Sequence, residues 1–141
     1  MMELKVKKIH KDAKLPSYGH VGDAGLDLFS VMECVLKGGE VRAISTGLQV
    51  AIPDGYVGLI WDKSGISLKN VHRLAGVVDS GYRGEIKVVM SNLSTEAFSI
   101  EKGMKIAQML IQPVVKVKVV DSGELDETSR GENGFGSTGK Y

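Results

Sequence analysis

Five stretches of this sequence set glycine beside charged, amide or hydroxyl side chains, a combination suited to closing a backbone around phosphate oxygens. They are Asp23-Ala24-Gly25-Leu26-Asp27-Leu28, the run from Pro53 to Lys69 with Lys63-Ser64-Gly65 inside it, Gly76 to Gly84, Gly103 to Gln108, and Arg130 to Gly139. In the last, Gly134, Gly136 and Gly139 surround Phe135, Ser137 and Thr138. Glycines allow close wrapping, successive N–H groups form an anion-binding nest, and the two hydroxyls add donors. Arg130 adds a planar fork suited to bidentate phosphate contact, and the Phe135 ring offers a flat face to a base.

The tail nearly satisfies two familiar nucleotide motifs, and context removes both. Gly134, Gly136 and Gly139 spell GxGxxG, but the dinucleotide fingerprint needs a preceding strand and a following helix. Gly134 to Lys140 approaches the Walker pattern GxxxxGK, yet Tyr141 stands where magnesium requires Ser or Thr. Asp79 follows an apolar run at Asp79-Ser80-Gly81. A carboxylate there can hold a water for in-line attack on phosphorus, or simply form the turn that Asp-Ser-Gly favours.

The elements that must position these groups are short and β-prone. Val- and Ile-rich runs predict strands at Leu4 to Ile9, Glu40 to Ile44, Leu48 to Ile52, Tyr56 to Trp61, Glu85 to Asn92, Lys105 to Ile111 and Val114 to Val120. Turns at Lys37-Gly38-Gly39, Pro53-Asp54-Gly55, Asp79-Ser80-Gly81 and Glu101-Lys102-Gly103 lie too close together for crossover helices. An all-β, antiparallel sandwich or barrel follows, with one short helix near Ser64 to Asn70. From Asp121 onward Asp, Glu, Ser and Gly replace core-forming residues, so residues 1–120 read as one β-barrel domain and 121–141 as a flexible linker and glycine-rich lid.

Composition narrows the function classes. The chain's 141 residues suit one domain. Eighteen basic against seventeen acidic residues give a net charge of +1, without the excess that direct nucleic-acid binding needs. One cysteine, Cys34, excludes an internal disulfide, and three scattered histidines offer no zinc ligand set. No apolar run approaches a membrane span or signal peptide, so a soluble, cytoplasmic protein is the default expectation.

In order and spacing, the five stretches resemble the five motifs of the trimeric dUTP pyrophosphatase (dUTPase) family, over residues 24 to 139. The resemblance implies a jelly-roll-like β domain, a homotrimer with three shared active sites, and Mg2+-assisted hydrolysis of dUTP to dUMP and pyrophosphate. It implies that Asp79 activates the attacking water and meets the deoxyribose 3′-hydroxyl, and that Tyr82 packs under the sugar and rejects a ribose 2′-hydroxyl. The arms Leu74 to Val78 and Glu85 to Val89 correspond to a uracil-reading hairpin, with Gly76 and Lys87 contributing backbone groups. Lys63, Ser64, Gly65 and Gln108 correspond to phosphate-side positions, with Ser64 near the bond that breaks. Asp27 corresponds to a carboxylate that supports magnesium through water. In the tail, Arg130, Gly136, Ser137 and Thr138 correspond to groups on the outer phosphates and Phe135 to the ring over uracil.

Three positions depart from the family pattern. Lys63 and Lys105 stand where arginine is usual, keeping charge but losing the five-donor fork, and Asn133 replaces a frequent glycine. Two rival readings share the fold. A dCTP deaminase would place a proton-shuttling glutamate on the strand after the hairpin, where this chain has Val89. A non-catalytic nucleotide-binding trimer would have no need of Asp79, Tyr82 and the intact tail together.

Overall fold

Alternation of apolar and polar side chains decides which runs become strands and which face each strand buries. The structure, a computed structural model, describes residues 1–141. Its elements are β1 (Lys5–Lys8), β2 (Leu26–Phe29), β3 (Cys34–Leu36), β4 (Val41–Ala51), β5 (Tyr56–Trp61), α1 (Ser64–Ser67), β6 (Val71–Leu74), β7 (Val77–Val78), β8 (Glu85–Asn92), β9 (Phe98–Ile100) and β10 (Lys105–Pro113). Along β4, Ile44, Thr46, Leu48 and Val50 are all buried, and Ile86, Val88 and Met90 repeat the pattern along β8.

All pairings are antiparallel. One sheet has the order β1-β4-β8-β6, the second β2-β10-β5-β7, and β3 with β9 forms a small third sheet. A 17-residue cluster drawn from both large sheets, including Ile44, Val88 and Met90 from one and Ile60, Ile106 and Met109 from the other, makes a single core. Each such side chain contributes about 1.5–3 kcal/mol on burial, which makes this shared core the main force holding the sheets face to face. Buried Asn92 ties the small sheet to β8: its amide donates to the Leu36 and Glu96 carbonyls, and its oxygen accepts from Ser94. The architecture is a jelly-roll-like sandwich; the sheets do not close into a barrel, because no strand of one pairs with a strand of the other.

Four expectations change. The runs at 40–44 and 48–52 form one strand, interrupted by a register shift between Ser45 and Gln49 rather than by a turn. Val114 to Val120 forms no strand: it runs on past Pro113, where the pairing of β10 with β5 ends at Tyr56 and that with β2 has already ended at Leu26, and its valines lie exposed. Leu74 to Val78 is not one arm of a hairpin. Its upstream part, β6, pairs with β8 through Leu74↔Val89, whereas Val77 and Val78 cross to β5. The helix is shorter than expected, ending before Asn70, whose φ of 60° is incompatible with its continuing. No helix is long and apolar enough to cross a membrane.

Candidate active site

The crossing between sheets opens a cleft. Ala75 and Gly76, with φ of 60° and 115°, turn the chain from β6 to β7. A side chain at Gly76 would meet the Ile60 carbonyl at 2.8 Å, and the same corner is pinned by the Ile60 N–H donating to the Gly76 carbonyl at 2.8 Å. Glycine is therefore required there on two counts. The cleft, about 460 Å³, is lined by Ile60 and the Ala75–Gly76 corner on one side and by Tyr82, Glu85, Ile86 and Lys87 on the other, with Asp79 at its rim. That volume lies in the range of small-molecule sites.

Asp79 leaves the end of β7 into a turn closed by the Tyr82 N–H donating to the Asp79 carbonyl at 3.1 Å. Its carboxylate is exposed. The Arg83 guanidinium clamps this turn, donating to the carbonyls of Ser80 and Tyr82 at 2.8 Å each. The Tyr82 hydroxyl donates to the Glu85 carbonyl at 3.0 Å, which lays its half-exposed ring along the cleft mouth. This pose requires Gly84, since a Cβ there would overlap the Tyr82 ring and hydroxyl. Glu85 braces the wall, accepting from the Gly47 N–H at 3.2 Å and the Ser45 hydroxyl at 3.4 Å, with Lys87 Nζ at 3.6 Å. Arg83 and Glu85 escaped notice in the sequence because their roles are internal bracing, which spacing does not reveal.

A second, cationic cluster lies across β5. Asp27, only 3% exposed on β2, holds Lys63 Nζ at 2.5 Å on one oxygen and Lys105 Nζ at 2.8 Å on the other. Burial alone would push its carboxyl up, but the hydrogen bonds and charges of Lys105 and Lys63 outweigh it and hold the group below the usual aspartate range. Lys63 immediately precedes α1, so Ser64 and Gly65 open a helical turn whose leading N–H groups lack intrahelical partners. Gln108 pairs in register with Asp27 on one side and Trp61 on the other, and its amide donates to the Asp62 carbonyl at 2.9 Å. Lys63, Ser64, Gln108 and Asp27 are thus gathered around one end of β5 and β10. Gly76, Asp79, Tyr82 and Lys87 are gathered in the cleft.

The tail joins neither group. Every hydrogen bond made by residues 121–141 is internal, as from Arg130 Nε to the Asn133 carbonyl at 2.9 Å, and Phe135 is fully exposed. Gly136, Ser137 and Thr138 form a tight turn series in which the Ser137 N–H reaches the Gly134 carbonyl at 3.1 Å and the Gly139 N–H the Gly136 carbonyl at 3.0 Å.

A family model described as dUTPase matches residues 11–139. The chain belongs to the dUTPase family. A deoxyuridine 5′-triphosphate nucleotidohydrolase of Clostridium kluyveri is 52% identical over 141 residues, covering 98% of this chain and 99% of the relative. Among solved structures, a point mutant of the Staphylococcus bacteriophage 80alpha dUTPase with dUpNHpp superposes with a TM-score of 0.92 at 32% identity, covering 99% of this chain and all of that one. A mutant dUTPase from phage phi11 of S. aureus, described as revealing the coordination of a structural Mg(II) ion, gives a TM-score of 0.82 at 28% identity over 87% of this chain and 98% of its own.

Proposed function

We propose that this chain is a dUTP diphosphatase whose cleft takes the deoxyuridine and whose Asp27–Lys63–Gln108 end takes the phosphates. The observation that carries this reading is the cleft itself: an exposed carboxylate, a ring braced at the mouth, and a strained backbone corner converge on one opening of the size a nucleoside needs. Family membership supplies the substrate.

Asp79 takes a proton from a bound water as the water oxygen bonds to the α-phosphorus. The bond from that phosphorus to the α,β-bridging oxygen breaks, releasing dUMP and pyrophosphate, and the proton passes from Asp79 to solvent. Tyr82 stacks against the deoxyribose and leaves no room for a 2′-hydroxyl. The backbone of Gly76 and Lys87 faces the base. Lys63 and the N–H groups of Ser64 and Gly65 offset the charge that builds on the phosphates, with Gln108 beside them. Val89, half-buried on β8 between Ala43 and Leu74, cannot move a proton, which disfavours deamination.

Magnesium fits this site as a passenger of the triphosphate. The chain has no cluster of three or more carboxylate, imidazole or thiol groups that would cage an ion, and Asp27 has an ammonium on each oxygen, leaving its remaining lone pairs for a magnesium-bound water. When bound, the ion neutralises and orients the phosphates.

The site is completed by other copies of the chain in a homotrimer. The exposed valines of 114–120 and the detached tail support this, since an apolar arm that its own chain leaves in water is the kind of surface a subunit contact covers. Arg130, Phe135, Gly136, Ser137 and Thr138 then close over a neighbouring site as a lid. Chromatography of products from dUTP, dCTP, dTTP and UTP with magnesium tests the reading: dUMP and pyrophosphate from dUTP alone support it, and ammonia from dCTP or no turnover contradicts it.

A further inference from the structure

Between the phosphate end and the cleft lies a side-chain network that neither group includes. Asp62, the residue after β5, accepts from the Ser67 hydroxyl of α1 at 3.1 Å and meets His72 Nδ1 at 3.1 Å. Its other oxygen accepts the Arg73 N–H at 3.3 Å and lies 3.2 Å from Arg73 Nε. Its backbone carbonyl takes the Gln108 amide at 2.9 Å. Asp62 therefore fixes α1, Gln108 and β6 relative to one another at the phosphate end.

Arg73 carries that fixation across to the cleft. Its guanidinium lies over the Trp61 ring at 4.6 Å and donates through Nη1 to the Ala75 carbonyl at 2.9 Å. Ala75 is the non-glycine residue at φ 60° that begins the corner into Gly76, a conformation side chains disfavour and neighbouring structure must enforce. Ala75 and Gly76 both line the cleft. The guanidinium suits this task because it stands as a charge beside the Asp62 carboxylate while Nη1 donates to a carbonyl and its face stacks on an indole.

We propose that Asp62 and Arg73 form a brace that sets base selectivity by fixing the Ala75–Gly76 corner against the phosphate-side loop. Both are positioning residues, acting through the corner rather than on substrate. The proposal rests on the reading of the cleft as the uracil site. A corner free to relax admits a larger or differently hydrogen-bonding base, so loss of the brace weakens rejection of dCTP and dTTP more than it slows dUTP hydrolysis.

The test compares kcat and KM for dUTP, dCTP and dTTP in the full-length wild type, Arg73→Gln, Arg73→Lys and Asp62→Asn, with melting temperature and light scattering on each. Arg73→Lys keeps the charge beside Asp62 but cannot also reach the Ala75 carbonyl, and it guards against a Gln variant that fails to fold. Expected in folded Arg73→Gln and Arg73→Lys is a fall of about tenfold or more in the kcat/KM preference for dUTP, the scale on which pocket fit discriminates. The change should appear chiefly as a lower KM for dCTP and dTTP, with kcat for dUTP largely kept, and Asp62→Asn should show a smaller fall in preference. Wild-type preference in folded Arg73→Lys overturns the brace while leaving the dUTPase reading intact. No dUTP turnover by the wild type overturns both.

Discussion

The ammonium of Lys63 lies 2.5 Å from Oδ1 of Asp27, and Lys105 occupies the other oxygen at 2.8 Å. The two lysines that depart from the family's usual arginines thus meet on one buried carboxylate. An arginine fork would reach past such a partner to a phosphate, whereas each lysine here is a point charge steered by Asp27. Asp27→Asn should leave two ammonium groups facing each other without compensation. A loss of about 2 kcal/mol in urea unfolding is expected, less than for a sealed pair because the lysine side chains are 32% and 51% exposed.

The same pair fixes a pH dependence. The Asp27 carboxyl is held below the usual aspartate range once Lys105 and Lys63 outweigh its burial, so the unfolded chain binds its proton more readily than the folded one. The stabilisation is complete above the unfolded value of about 4 and disappears as pH falls through the lower folded value. Unfolding free energies of wild type and Asp27→Asn should differ by a constant amount from pH 5 to 7, about 2 kcal/mol, and converge below about pH 4. A gap that widens on acidification would contradict the assignment.

Asp79→Asn keeps the turn that closes on its backbone carbonyl and removes the proposed base. Turnover of dUTP should fall by about a thousandfold, with dUpNHpp still bound in calorimetry. Retained turnover would take Asp79 out of the chemistry.

Gly84→Ala drives a methyl into the Tyr82 ring and hydroxyl. The ring must leave the cleft mouth, so UTP hydrolysis should rise relative to dUTP by about tenfold. Assaying the two nucleotides side by side decides it, and an unchanged ratio would detach Tyr82 from sugar selection.

Truncation after Ser129 removes a segment whose only hydrogen bonds outside itself run from the Gly131 N–H to Thr128 of the same tail. Thermal unfolding should be unchanged within measurement, whereas dUTP hydrolysis should fall by about a hundredfold or more as the lid's phosphate contacts are lost. Full activity in the truncated protein would deny the lid.

How much of this was legible in the sequence follows from the physics of each element. β5 and β8 match the expected Tyr56 to Trp61 and Glu85 to Asn92 because each is a sustained apolar pattern bounded by turn residues. β3, β7 and β9 have two or three residues each, too few for a period to register. Val114 to Val120 has as good a β pattern as any strand, but its neighbours end at Leu26 and Tyr56, and where partner strands end is a property of the whole fold. The grouping of Gly76, Asp79, Tyr82 and Lys87 was anticipated by motif resemblance. The splitting of Leu74 to Val78 between two sheets, which makes the cleft, depends on the positive φ of a non-glycine, Ala75, and left no sequence signal. Asp62 and Arg73 were equally silent, since their partners are carbonyls and rings brought together only by folding.

Hydrolysis of dUTP in ¹⁸O-labelled water, with mass analysis of both products, tests the central claim most directly. Attack by an Asp79-activated water on the α-phosphorus places the label in dUMP and leaves pyrophosphate unlabelled. Label in pyrophosphate, or release of inorganic phosphate in place of pyrophosphate, would contradict it.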